Sequence, residues 1–221
     1  MKGRIVLLII LAVILADQAL KIWVKTHYYY EENHAMLGKW FYLYFIENEG
    51  MAYGWKLGGN AGKLFLTLFR LAAVIFGGYY IITMIRRKYH TGLLVCAALI
   101  FAGAFGNLID SMFYGIIYEK STPSHISVLF PHEGYAGFLH GRVVDMLYFP
   151  IINTHYPLWF PVWGGQEFTF FSPIFNIADA SISAGVIALI LFQKKFFKDT
   201  DPDDGGTVET KAIVNDEVQV S

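Results

Sequence analysis

Residues 93–113 read LLVCAALIFAGAFGNLIDSMF, an apolar run that admits its first amide at Asn107 and its first carboxylate at Asp110. About 20 apolar residues rising 1.5 Å each cross a hydrocarbon layer, so the run predicts a membrane-spanning helix. Ile5–Val24, Leu64–Ile85 and Ile174–Phe192 meet the same test. The composition, 55% hydrophobic, 17% aromatic and 16% charged, is too apolar for a soluble domain of 221 residues. A fifth apolar stretch, Val143–Trp163, contains Pro150, Pro157 and Pro161, which would break a helix, and is expected to form an aromatic loop at the interface. The predicted fold is all-α and integral to the membrane, with four transmembrane helices in one domain over residues 1–198.

Basic residues flank the spans at Lys2 and Arg4, at Arg86, Arg87 and Lys88, and at Lys194, Lys195 and Lys198. The positive-inside rule assigns them all to the cytoplasm, which makes 25–63 and 114–173 extracytoplasmic. Lys2 and Arg4 before an apolar run resemble a signal peptide, but Ile14 stands where an Ala-x-Ala site before Asp17 needs a small residue. The first span is therefore expected to stay as an anchor. The tail 199–221, with Asp201, Asp203 and Asp204, reads as disordered and cytoplasmic. Seventeen basic and eighteen acidic residues give a net charge of -1, so nothing points to a nucleic-acid partner. Cys96 is the only cysteine, sits in the apolar run and reads as a small core hydrophobe.

Ionisable groups in lipid are costly, so their depth is informative. Asp17 and Lys21, Asn107 and Asp110, and Asn176 and Asp179 all fall in the outer third of their spans. Three helices of alternating direction thus bring polar groups to one level, as a site would. The competing account is that Asp17 and Lys21, at i and i+4, neutralise each other while Asn107 and Asn176 bond neighbouring helices. Arg70 lies deeper and reads as a counter-ion to the acidic cluster. Asp179 has no basic residue within a helical turn, and its natural partner is Asp145 in the segment Gly141-Arg142-Val143-Val144-Asp145-Met146. Two close carboxylates share a proton, so one can deprotonate a water while the other protonates a carbonyl or a leaving amine.

Five segments in order resemble the lipoprotein signal peptidases, also called signal peptidase II: Asp17-Gln18-x-x-Lys21, Asn48-Glu49-Gly50-Met51-Ala52, Gly103 to Asp110, Val143-Val144-Asp145, and Phe175-Asn176-Ile177-Ala178-Asp179-Ala180. The resemblance implies a four-span aspartyl protease of the bacterial inner membrane, monomeric and without cofactor or metal. It would cleave diacylglyceryl-modified prolipoproteins before the lipidated cysteine and be inhibited by the cyclic peptide globomycin. It also implies that Asp145 and Asp179 are catalytic. Asn48 and Gly50 would contact substrate or inhibitor from a small extracytoplasmic sheet around Trp40–Phe45, and Asp17, Lys21, Asn107, Asp110 and Asn176 would support the site.

Two departures stand out. The family usually carries an arginine after the aspartate of the third-span motif, where this chain has Ser111, and Arg142 is expected to take over. A stretch from Gly115 to His140 is inserted before Asp145 and is expected to lie on the membrane as a lid or guide. An ungapped alternative would put Glu119 in the place of Asp145, with a poorer match. His125, His132 and His140 fit no zinc spacing and read as solvated loop residues. Two other classes of function compete: a proton- or cation-coupled transporter, which should carry titratable groups through the full depth, and a noncatalytic assembly protein. No Gly-x-Ser-Gly stands in any span, as a serine protease of the membrane would need.

Overall fold

The structure, a computed structural model, describes residues 1–49, 59–150, 152–155, 157–170 and 173–197. Gly50 and the tail from Asp199 onward lie outside the described residues. Helices α1 (Lys2–His27), α2 (Gly59–Arg86), α3 (Thr91–Ile109) and α5 (Ile177–Phe197) carry the bundle. From α3 the chain runs through a π-helical turn, Asp110–Tyr114, into the single turn α4 (Gly115–Ile117), so the third long helix spans Thr91–Ile117. These four helices are long and apolar enough to cross a membrane. They outrun the predicted spans because hydropathy marks only the hydrocarbon-embedded part, while backbone hydrogen bonding continues through polar end residues.

Large side chains of α2 such as Phe65, Phe69 and Phe76 point outward, the pattern of a helix solvated by lipid. Inside the bundle α3 packs against α1 and α5. A Cβ on Gly103 would collide with the Ala178 carbonyl, and one on Gly106 would lie 2.9 Å from Asp17 Oδ2. Small residues at these two positions allow the helices to close on their polar groups.

Strands β1 (Asn33–Leu37), β2 (Phe41–Asn48), β3 (Val143–Tyr148) and β6 (Ile174–Phe175) form one antiparallel sheet in the order β1-β2-β3-β6. Ile46 pairs with Asp145 and Asn48 with Val143, which brings the end of β2 to the aspartate. Val144 and Met146 are buried in a core with Val24, Phe45, Tyr114 and Tyr118, so the sheet is anchored on the ends of α1 and α3. The predicted fourth span began at Ile174, but Ile174 and Phe175 pair with Tyr148 and Leu147 and the helix starts at Ile177. The stretch Val143–Trp163, expected as an aromatic loop, instead supplies β3 and strand β4 (Ile152–His155), and β4 pairs with β5 (Glu167–Phe170) in a separate hairpin.

The insertion folds back on the end of the third helix. Gly141 N donates to Ser111 O at 2.9 Å, Leu139 N to Met112 O at 3.1 Å, and Ala136 N to Gly115 O at 2.9 Å. A helix end leaves carbonyls without partners, and here the returning loop supplies them, which is why it packs rather than forming a detached amphipathic lid. The fold-back delivers Arg142 and β3 beside the bundle.

Candidate active site

Lys21 is the centre from which the site is built. Its fully buried ammonium lies 2.8 Å from Asp17 Oδ2 and 2.7 Å from Asp110 Oδ2, and donates to Asn107 Oδ1 at 2.9 Å. Because that ammonium takes the Asn107 oxygen, the amide nitrogen is left to donate, and it does so to Asp179 Oδ1 at 2.7 Å. Asn176 is fixed by a different constraint: it caps α5, its Oδ1 accepting from Asp179 N at 2.9 Å. Its nitrogen must then donate, and reaches Asp145 Oδ1 at 2.7 Å and Asn107 Oδ1 at 3.1 Å. Asp145 Oδ2 accepts from Asn48 Nδ2 at 3.2 Å. Two asparagines with locked orientations thus join Asp145 and Asp179 in one network.

The flanking carboxylates have structural partners. Asp17 Oδ1 accepts from Ala178 N at 2.9 Å, so an α1 side chain satisfies an orphan donor at the start of α5. Asp110 accepts from Gln18 at 2.9 Å and from Val144 N at 3.3 Å, tying α3 to β3 next to Asp145. Asp145 is 2% exposed, and burial, followed by the Asp179 carboxylate, pushes its carboxyl up to about 7 against the opposing pull of Asn48, Lys21 and Asn176. Among the described residues nothing reaches Asp179 Oδ2, so one oxygen of the pair stays open to water.

Most residues expected in the site therefore meet: Asp17, Lys21, Asn48, Asn107, Asp110, Asn176, Asp145 and Asp179. Arg142 does not join them. Its guanidinium lies 3.4 Å from Glu47 Oε2 and 3.2 Å from Glu49 Oε1, while its N–H donates to the Tyr135 hydroxyl at 2.6 Å. Two carboxylates outcompete the more distant pair for a side chain held on this side by the insertion. Glu119 is also elsewhere, paired with His125 at 2.8 Å.

Sequence reasoning missed Gln18 as a ligand of Asp110, and it missed Glu47, which together with Ser121 holds the buried ammonium of Lys25. Lys25 stands at i+4 from Lys21 and i+8 from Asp17, a spacing that places all three on one helical face. Arg70, read as a counter-ion to the acidic cluster, donates from Nη1 to Ser111 Oγ at 2.9 Å.

Comparison with known proteins gives the family of the chain. A model of the signal peptidase (SPase) II family matches residues 9–195. The lipoprotein signal peptidase of Porphyromonas gingivalis is 46% identical over 192 residues, 86% of this chain and 83% of its own. That of Amoebophilus asiaticus is 34% identical over 190 residues, 85% of this chain and 76% of its own. A bacterial membrane enzyme solved by the in meso method at 1.9 Å resolution shares the fold, with a TM-score of 0.56 and 23% identity over 86% of this chain and 92% of that one.

Proposed function

This chain belongs to the signal peptidase II family, multi-pass membrane peptidases that remove signal peptides from lipoproteins, and on that premise we propose that it is an aspartyl endopeptidase acting on diacylglyceryl-modified prolipoproteins, with Asp145 and Asp179 as its catalytic pair. The observation that carries the proposal is the joining of these two carboxylates through Asn107 and Asn176, where the ends of α3 and α5 meet β3. Asp179 takes a proton from a water held at its open oxygen, and that water attacks the scissile carbonyl carbon. Asp145 gives its proton to the carbonyl oxygen; collapse of the tetrahedral adduct breaks the C–N bond, and the amine leaves with a proton from the pair. No metal or organic cofactor is needed.

In this reading the site faces the outer leaflet of the bacterial inner membrane with both termini in the cytoplasm, and the basic flanks support that orientation. A precursor whose lipid stays in that leaflet then presents its scissile bond at the depth of the two aspartates. The test is the purified, reconstituted protein with precursor bearing or lacking the diacylglyceryl group. Cleavage of the modified form alone, blocked by globomycin, is expected; equal cleavage of both forms would remove the lipid from the specificity.

The raised carboxyl of Asp145 predicts a pH profile. Asp145 holds the proton it must donate below about 7. Raising the pH through that value removes the acid and sets two like charges side by side, so kcat/KM falls about tenfold per unit above it. A profile flat to pH 9 would assign the acid to another group.

Lipid itself is a partner in this reading. At the tip of the β4–β5 hairpin Leu158, Trp159 and Val162 are 90%, 79% and 84% exposed, and residues 157–165 contain no charge. Such a tip belongs in the headgroup region, where aromatic rings are favoured. In vesicles of brominated phospholipid, part of the tryptophan emission should be quenched, and Trp159→Phe with Trp163→Phe should remove that part; quenching unchanged by the pair of substitutions would leave the tip in water.

A further inference from the structure

A guanidinium in a membrane-spanning helix needs a partner that accounts for it. Arg70, in the body of α2, donates to the buried hydroxyl of Ser111, and among the described residues no carboxylate comes within ion-pair distance of it. Asp110 is already engaged by Lys21, Gln18 and Val144 N. Asp145 is held by two neutral amides. Asp179 has one amide on Oδ1 and an open Oδ2. Of the charged groups facing Asp179, Asp145 comes from β3, Asp110 from the end of α3, and Asp17 and Lys21 from α1. Lys21 is committed to Asp17 and Asp110 and Lys63 to the Glu49 carbonyl, so among the described residues Arg70 is a cation linked to the pair through Ser111.

A chain of hydrogen bonds gives that charge a path. Ser111 Oγ accepts from Arg70 and donates to Asn107 O at 2.9 Å, and the Asn107 side chain donates to Asp179. Ser111 is also the place where the resembling family carries its arginine, and a small hydroxyl there leaves room for a guanidinium arriving from α2.

We propose that Arg70 is a positioning residue for proteolysis: with Ser111 it holds Asn107 against Asp179 and keeps Asp179 as the carboxylate that accepts the proton of the attacking water, so that Asp145 carries the proton of the pair. This inference rests on the aspartyl reading of the site.

The test uses the full chain in nanodiscs with diacylglyceryl-modified precursor. Arg70→Gln should lower kcat about tenfold or more, leave KM within about threefold, and move the acid limb of the kcat–pH profile upward by about one unit. Arg70→Lys should recover part of the loss. Adding Ser111→Arg to Arg70→Gln returns the charge from the neighbouring helix, and should restore both rate and acid limb. A merely structural role would lower the unfolding temperature without displacing the limb.

An Arg70→Gln enzyme with the wild-type rate and profile, beside an inactive Asp179→Asn, overturns the role of Arg70 and leaves the aspartate pair standing. Cleavage by Asp179→Asn itself would overturn the pair and this inference with it. If Arg70→Gln does not fold, Ser111→Ala decides: a displaced acid limb supports the relay, and an unmoved one ends it.

Discussion

Asp179→Asn is expected to lower cleavage of lipidated precursor by about 10³-fold or more while the protein stays folded and membrane-inserted. The substituted amide can still accept from Asn107 through its oxygen, and the Asn176 cap on the backbone N–H is untouched, so the network survives. What is lost is the base. Asp145→Asn should be equally inactive and also less stable. Both Asn176 and Asn48 donate to Asp145, and an amide there can accept with only one of its two ends. The mismatched donor inside a site 2% exposed costs about 1–3 kcal/mol. Precursor cleavage and thermal unfolding in the same nanodisc preparation read both effects. Activity within about tenfold of wild type in either variant would end the catalytic assignment.

The largest expected effect on stability belongs to Lys21→Met. It removes the ammonium between two carboxylates that are 1% and 0% exposed, and leaving such charges uncompensated costs about 3–5 kcal/mol. Activity should fall as well, because Asn107 keeps only Asn176 of the two donors that fix its oxygen, and its hold on Asp179 loosens. Adding Asp110→Asn to Lys21→Met removes one stranded charge and should return part of the stability. Equal unfolding temperatures for Lys21→Met and wild type would show that the triad does not hold the helices.

The polar residues of the long helices were legible because charge in an apolar run is rare: Asp17, Lys21, Asn107, Asp110, Asn176 and Asp179 announce themselves by depth alone. Asp145 was legible from its flanking segment, because Val143-Val144-Asp145 resembles a family segment and its apolar neighbours could hold it against the membrane; that these residues form a strand of the sheet was not. Two kinds of feature were not legible. Arg70 was read as a counter-ion to the acidic cluster, but its partner Ser111 was not, because the sequence does not mark where the head of a long side chain arrives. The path of the insertion depended on which carbonyls the π-helical turn leaves exposed, a property of backbone geometry that no residue type marks. Arg142 illustrates the same limit: its nearness to Asp145 in sequence says nothing about Glu47 and Glu49, which come from another strand and claim it.

The bond from Ala178 to Asp17 ties the start of α5 to α1, a helix made much earlier. During synthesis the chain carries Asp17, Lys21, Asp110 and Asp145 long before Asp179 leaves the ribosome. Until then there is no second carboxylate to share a proton, and Asp17 has no helix start to receive. On the proposed reading, a copy made only as far as Asp145 lacks its catalytic pair, and the onset of proteolysis is tied to the insertion of α5.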